Sequence, residues 1–146
     1  MPEPSALSRK LQIRSGMRVR LVDPPGDLAG RLEPLPDGAR VVDMPDDADA
    51  VLMFVRDRAG LAARSPDVDT LQDATLLWIA YPKGSSGVPS DLTRDRGWEP
   101  VGDAGFDPVS QVSIDETWSA IRFRRDPALR AKRAAEGRFA PGMRRP

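Results

Sequence analysis

Lys83, Ser85 and Ser86 stand together in "PKGSSG", where an apolar segment gives way to a polar one. An ammonium, two hydroxyls and two glycines are chemistry for holding an anion. The Lys supplies a point charge, and Gly84 and Gly87 let backbone N–H groups turn inward. A helix starting near Ser90 would add its positive end. The Lys precedes the glycines, so this is not the phosphate loop in which a Lys closes the motif. The same residues also make an ordinary loop, with Ser90 an ordinary helix cap. Both readings stand at the level of sequence.

Two further groups invite chemistry. On the expected helix, Asp91 and Asp95 share a face with Arg94 beside them. That is either a solvated face or a pair of oxygen ligands for a divalent cation, though two carboxylates alone do not define a metal site. Asp115, Glu116 and Trp118 lie between two alternating segments. They form either a binding lip or a polar hairpin turn with the indole packed across the edge strand. If that hairpin lies near the loop at Lys83, the ammonium pairs with Asp115 or Glu116 and the anion reading weakens.

Much chemistry is excluded. The chain has no His and no Cys, which removes the usual general base, the commonest metal ligand and all thiol chemistry. An enzyme would have to work with Tyr81, Lys83, Ser85, Ser86, Asp91, Asp115 and Glu116, and no nucleophile–base–orienter set is visible among them. After the first strand the chain reads "VDPPGDLAG". Pro24 and Pro25 have no N–H to donate to a phosphate, and Gly26 and Gly30 do not form the dinucleotide fingerprint. Asp43, after the second strand, is a lone acid of the kind that meets ribose hydroxyls or simply ends a strand. No cofactor is expected.

The elements that must position these groups follow from the apolar pattern. Ser5 caps a short helix carrying Leu7 and Leu11, with Gly16 in the turn beyond it. "MRVRLVD" alternates as a strand, and Leu28, Leu32 and Leu35 share a helical face until Pro34 interferes. "ARVVDM" is a second short strand, and "PDDADA" a polar turn. The continuous run "AVLMFV" suits a strand buried on both faces of a parallel sheet. Asp57 caps the next helix, which Pro66 is expected to end. "TLLWIAYP" is the most apolar strand and should be central. A short or broken helix follows from about Ser90, with Leu92, Trp98 and Val101 on one side. "PVSQVSI" and "WSAIRFR" close the body as an antiparallel edge pair.

Strands alternating with helices give an α/β class. The expectation is a single small domain with a mostly parallel sheet of about six strands, helices on both faces and an antiparallel edge pair. The layout is similar to a shortened Rossmann-like methyltransferase fold. More narrowly, "GMRVRLVDPP", "DAVLMFVRDRAGL", "LLWIAYPKGSSGVPSDLTRD" and "SIDETWSAIRFR" resemble an uncharacterised bacterial family known only as a domain of unknown function. That resemblance spans roughly residues 5–124 and implies the fold, with no activity to carry over.

Net charge is zero over 146 residues, yet residues 122–146 hold nine basic residues against Asp126 and Glu136. The reading is a body over 1–125 and a basic, flexible tail over 126–146, with a short helix at Pro127–Ala135. Arg130, Lys132, Arg133, Arg138, Arg144 and Arg145 in the tail would neutralise phosphates without reading bases, or dock a protein partner or second copy. No apolar run approaches the roughly 20 residues of a membrane span, and the N-terminus lacks a signal-type apolar core, so the cytoplasm is expected. A non-catalytic module binding a small anionic ligand or a protein partner is the leading expectation. A small methyltransferase-like enzyme, or nucleic-acid or acidic-partner contact through 126–146, is the alternative.

Overall fold

The computed structural model describes residues 3–43 and 48–137. The first half of the polar turn expected from Pro45 falls outside them, as does the tail from Arg138 onward. The strands are β1 (Arg18–Val22), β2 (Arg40–Val41), β3 (Ala50–Phe54), β4 (Leu76–Pro82), β5 (Asp107–Ser113) and β6 (Trp118–Arg124). The helices are α1 (Ala6–Lys10), α2 (Leu28–Leu32), α3 (Arg58–Asp69), α4 (Glu99–Asp103) and α5 (Pro127–Ala135). One six-stranded sheet runs in the order β2-β1-β3-β4-β6-β5. The first four of these strands are parallel, β6 is antiparallel to β4, and β5 is antiparallel to β6. This is a Rossmann-like α/β domain with an antiparallel edge pair.

Every residue of β3 and β4 is buried, as apolar runs covered on both faces require. Side chains alternate between the faces. Ala50, Leu52, Phe54 and Trp78 pack with Leu11, Leu28 and Leu32 of the α1 and α2 side. Val51, Met53, Leu77 and Ile79 pack with Leu61 and Val68 of α3 and with Trp98, Val101 and Phe106 near α4. The Trp78 indole N–H donates to the Leu11 carbonyl at 2.8 Å, so this buried donor is satisfied.

Two caps form where the sequence puts them, at Ser5 and Asp57, and a third forms at Asp126. The side chains of Ser5, Asp57 and Asp126 accept from the backbone N–H groups of Ser8, Gly60 and Leu129. Two expectations are corrected. Pro66 does not end α3, which continues to Asp69 with the proline inside it. A proline there deprives the Ala62 carbonyl of its N–H partner, and the Ser65 hydroxyl donates to that carbonyl instead, at 2.9 Å. Nor does a helix begin at Ser90. The Ser90 and Thr93 hydroxyls accept from Leu92 N and Asp95 N, Thr93 and Arg96 pair through their backbones, and α4 starts only at Glu99. Short polar side chains that satisfy nearby backbone N–H groups compete with a helical turn. Leu92, Trp98 and Val101 are buried, Val101 from α4 but Leu92 and Trp98 from the irregular segment before it.

Candidate functional site

The parallel strands β1, β3 and β4 end along one edge of the sheet, and β6 starts there, with Pro82 opposite Trp118. Ligands of open α/β sheets sit beyond such carboxyl ends. Two adjoining clefts lie along this edge and share Val88.

The first cleft, about 590 Å³, opens at the end of β4. Tyr81 forms its floor, and Lys83, Ser85, Ser90, Thr93 and Arg94 are among its walls; no Asp or Glu lines it. The loop behind it is a tight 3-10 turn over Gly84–Ser86, closed by Gly87 at φ 81°, a conformation suited to glycine. Lys83 is held on both sides. Its backbone N–H donates to Thr117 O at 2.7 Å, and its Nζ donates to Ser113 Oγ at 2.6 Å. The ammonium keeps further donors for the cleft. Arg94 is exposed and meets no carboxylate among the described residues. The Tyr81 hydroxyl accepts from Gln111 Nε2 at 3.0 Å. Burial pushes this phenol above its ordinary value against the Gln111 bond and the Arg94 field, so it stays protonated.

The remaining sequence candidates divide. Ser86 folds the loop, donating to Lys83 O at 2.6 Å and accepting from Val88 N at 3.1 Å. Asp91 faces α3, where its Oδ1 accepts from Arg58 N at 2.8 Å while Arg58 Nε donates to Asp91 O at 3.2 Å. Because no helix forms there, Asp91 and Asp95 do not share a helical face. Asp115 meets Arg31 at 3.0 Å, not Lys83. Its Oδ1 accepts from the N–H groups of Thr117 and Trp118, both at 2.8 Å. Burial raises the Asp115 carboxyl, and those two N–H groups with Arg31 outweigh it, leaving the group below its usual value. Glu116 is exposed and lines neither cleft.

Trp118 lines the second cleft, about 520 Å³, between the carboxyl ends of β1 and β3. The strand order turns back on itself at that point. The indole meets Phe54 edge to face, centroids 5.0 Å apart at 85°. Pro24 and Pro25 form the opposite lip. The acids here are engaged: Asp23 pairs with Arg64 at 2.6 Å, and Asp57 caps α3. Arg56 also lines this cleft and is exposed. The sequence reading missed Phe54 and Arg56, although the first charged residue beyond a fully buried strand marks its carboxyl end. Among the described residues, no three Asp or Glu side chains gather as a metal site would need.

No protein-family model matches this chain, and no curated protein does. Among solved structures, the chain is similar to a Streptococcus agalactiae protein of the NADB-Rossmann superfamily, at 12% identity and TM-score 0.47, covering 85% of this chain and 69% of that one. It is similar to the B. subtilis tRNA methyltransferase TrmK at 11% identity and TM-score 0.46, covering 94% and 71%. It is similar to RosA, an N,N-8-amino-8-demethyl-D-riboflavin dimethyltransferase from Streptomyces davawensis, at 15% identity and TM-score 0.46, covering 84% and 52%. Likeness at this level carries no activity to this chain.

Proposed function

We propose that this chain is a non-catalytic Rossmann-like module that binds a small anionic ligand in the cleft at the end of β4. One observation carries the reading: that cleft is lined by Lys83, Arg94 and several hydroxyls, and by no carboxylate. Cations gathered in a concave, partly desolvated site attract an anion more strongly than cations spread over a surface. The buried Tyr81 hydroxyl stays protonated, and no His, Asp or Glu lines the cleft to activate Ser85. The chemistry available is therefore recognition.

The test is a thermal-shift screen of the full chain against nucleotides, S-adenosylmethionine and phosphorylated metabolites. A ligand present at a hundred times its Kd, binding only the folded state, adds about 2.7 kcal/mol. The shift should vanish in Lys83→Ala and in Arg94→Ala. An unchanged affinity in both variants would remove the cleft as the site.

A second reading, a small methyltransferase-like enzyme, is favoured by the cleft between β1 and β3. Its position at the reversal of strand order is where such sheets hold ligands, and Phe54 and Trp118 give it an aromatic wall. Pro24 and Pro25 oppose a phosphate-type backbone cradle there. On this reading S-adenosylmethionine stabilises the chain, and Trp118→Ala abolishes the effect while Lys83→Ala does not.

A further inference from the structure

The opposite edge of the sheet holds an arginine cluster that the proposed function does not use. There β1 and β4 begin and β6 ends, and a cleft of about 500 Å³ is lined by Arg14, Arg122 and Arg124, together with Gln12 and Thr75. Arg122 and Arg124 are two apart on β6, so both project from the same face of the strand. Arg14 arrives from the segment between α1 and β1.

Three guanidinium groups converge here, and only Arg124 pairs with an acid. Arg14 meets no carboxylate among the described residues. Arg122 donates to the Gln12 amide oxygen at 2.6 Å, a neutral partner. Arg124 reaches Asp126 only at 3.5 Å, and that carboxylate already caps α5 through Leu129 N. Asp73, the other acid on the cleft wall, faces Arg125 at 3.3 Å. The crowding is unfavourable as it stands. Burial lowers the pKa of Arg122, and the positive charges of Arg124 and Arg14 lower it further. Gln12 holds its amide toward Arg122 from a left-handed backbone, φ 60°, which a Gln rarely adopts. An anion seated among the three arginines would offset the repulsion and use the fork geometry of each guanidinium.

We infer that the amino edge of the sheet is a second anion site, in which Arg14, Arg122 and Arg124 bind a small multivalent phosphate. The size of the cleft and its lining favour a small anion over a nucleic acid. Phe123, the aromatic on its wall, is buried, so no ring is presented for base stacking. Residues 1–121 also carry twenty acidic against thirteen basic residues, which disfavours the approach of a long polyanion.

The experiment is calorimetric titration of the full chain with inorganic tripolyphosphate, at low and at near-physiological salt. Parallel titrations use Arg14→Ala, Arg124→Ala, Lys83→Ala and a single-stranded oligonucleotide. Arg14 is an exposed residue outside the core, so its variant should fold; circular dichroism checks this. Binding should weaken roughly tenfold in Arg14→Ala and in Arg124→Ala, because each removes charge-assisted bonds. Lys83→Ala removes an anion contact of the other cleft and should leave in place the binding step that depends on Arg14 and Arg124. In phosphate-free buffer Arg14→Ala should melt no lower than the parent chain. The inference is overturned by no binding, by parent-like affinity in both arginine variants, or by loss of the Arg14-dependent step in Lys83→Ala. Tighter binding of the oligonucleotide through the same arginines would make the occupant a nucleic acid and overturn the small-phosphate assignment.

Discussion

Arg130 of α5 closes a two-pronged fork on Asp107, the first residue of β5, with Nε to Oδ2 and Nη2 to Oδ1 both at 2.9 Å. The Asp107 side chain is only 7% exposed, whereas that of Arg130 is 41% exposed. The same Nη2 also donates to Gly102 O and Phe106 O, each at 3.1 Å. One guanidinium thus ties α5 to the end of α4 and the start of β5. Arg133 adds a bond to Pro108 O at 3.2 Å. Two cations that the sequence offers to an outside polyanion are turned onto the body, while Lys132 is exposed.

Arg130→Ala leaves the Asp107 carboxylate buried without its counter-charge. Urea unfolding should show a loss of about 1–3 kcal/mol, discounted from a fully buried pair because Arg130 is partly solvated. Arg130→Lys should recover only part of it, since an ammonium cannot reproduce the fork. A double variant with Asp107→Asn should cost less than the two single losses combined. An unmoved midpoint in Arg130→Ala would show that α5 is held by something else.

Asp115 should make stability depend on acid pH. Its carboxyl is half-buried, and that desolvation raises its pKa, but the N–H groups of Trp118 and Thr117 and the Arg31 guanidinium bring the net value below the ordinary one. A group whose folded value is depressed contributes stability fully above its unfolded value of about 3.9. The contribution disappears as pH falls through the lower folded value. Asp49 has the same sign, chiefly from the Arg18 side-chain bond. Unfolding free energies measured from pH 6 to pH 2.5 should fall more steeply in the parent chain than in Asp115→Asn. At pH 7 the variant should lie lower by about 1 kcal/mol. Parallel curves would separate Asp115 from the acid response.

Gly97 and Gly87 both have positive φ, at 103° and 81°, yet alanine should affect them unequally. At Gly97 a Cβ would lie 2.5 Å from Leu92 Cδ2 and 3.1 Å from Arg58 Nε; at Gly87 nothing stands within 4 Å. Gly87→Ala should therefore cost the backbone strain alone, about 1–2 kcal/mol. Gly97→Ala should cost more, because Leu92 is core and must move. Equal melting temperatures for the two variants would contradict this account of the segment before α4.

The sequence was legible where a local rule decides the outcome. The run from Ala50 to Val55 suits a strand covered on both faces, and the Ser5 and Asp57 caps follow from side-chain chemistry at one position. Pro66 was misread because its effect depends on the neighbour: the Ser65 hydroxyl fills the place of the missing N–H. The spacing of Leu92, Trp98 and Val101 suggested a helix because burial constrains these residues without revealing the path between them. Arg56 was missed because a single Arg after a strand is no motif until the loop after β1 is seen across from it. Arg14 and Arg122 meet through folding across more than a hundred positions, which no local pattern encodes.

Collisional quenching can assign a ligand to one cleft or the other. Trp78 and Trp98 are 1% and 0% exposed, while Trp118 is half-buried on the wall of the cleft between β1 and β3. Acrylamide should therefore reach Trp118 alone among the three tryptophans, and Trp118→Phe should remove the quenchable fraction while keeping a ring against Phe54. Trp118 does not line the cleft at the end of β4. An anion bound by Lys83 and Arg94 should leave the quenching constant unchanged, whereas a ligand held against the Phe54–Trp118 wall should lower it. Quenching that falls with an anion whose affinity also depends on Lys83 would mean that the clefts, joined at Val88, hold one ligand between them. A quenchable fraction that survives Trp118→Phe would show that another indole opens to solvent, and the packing of Trp78 or Trp98 would need revision.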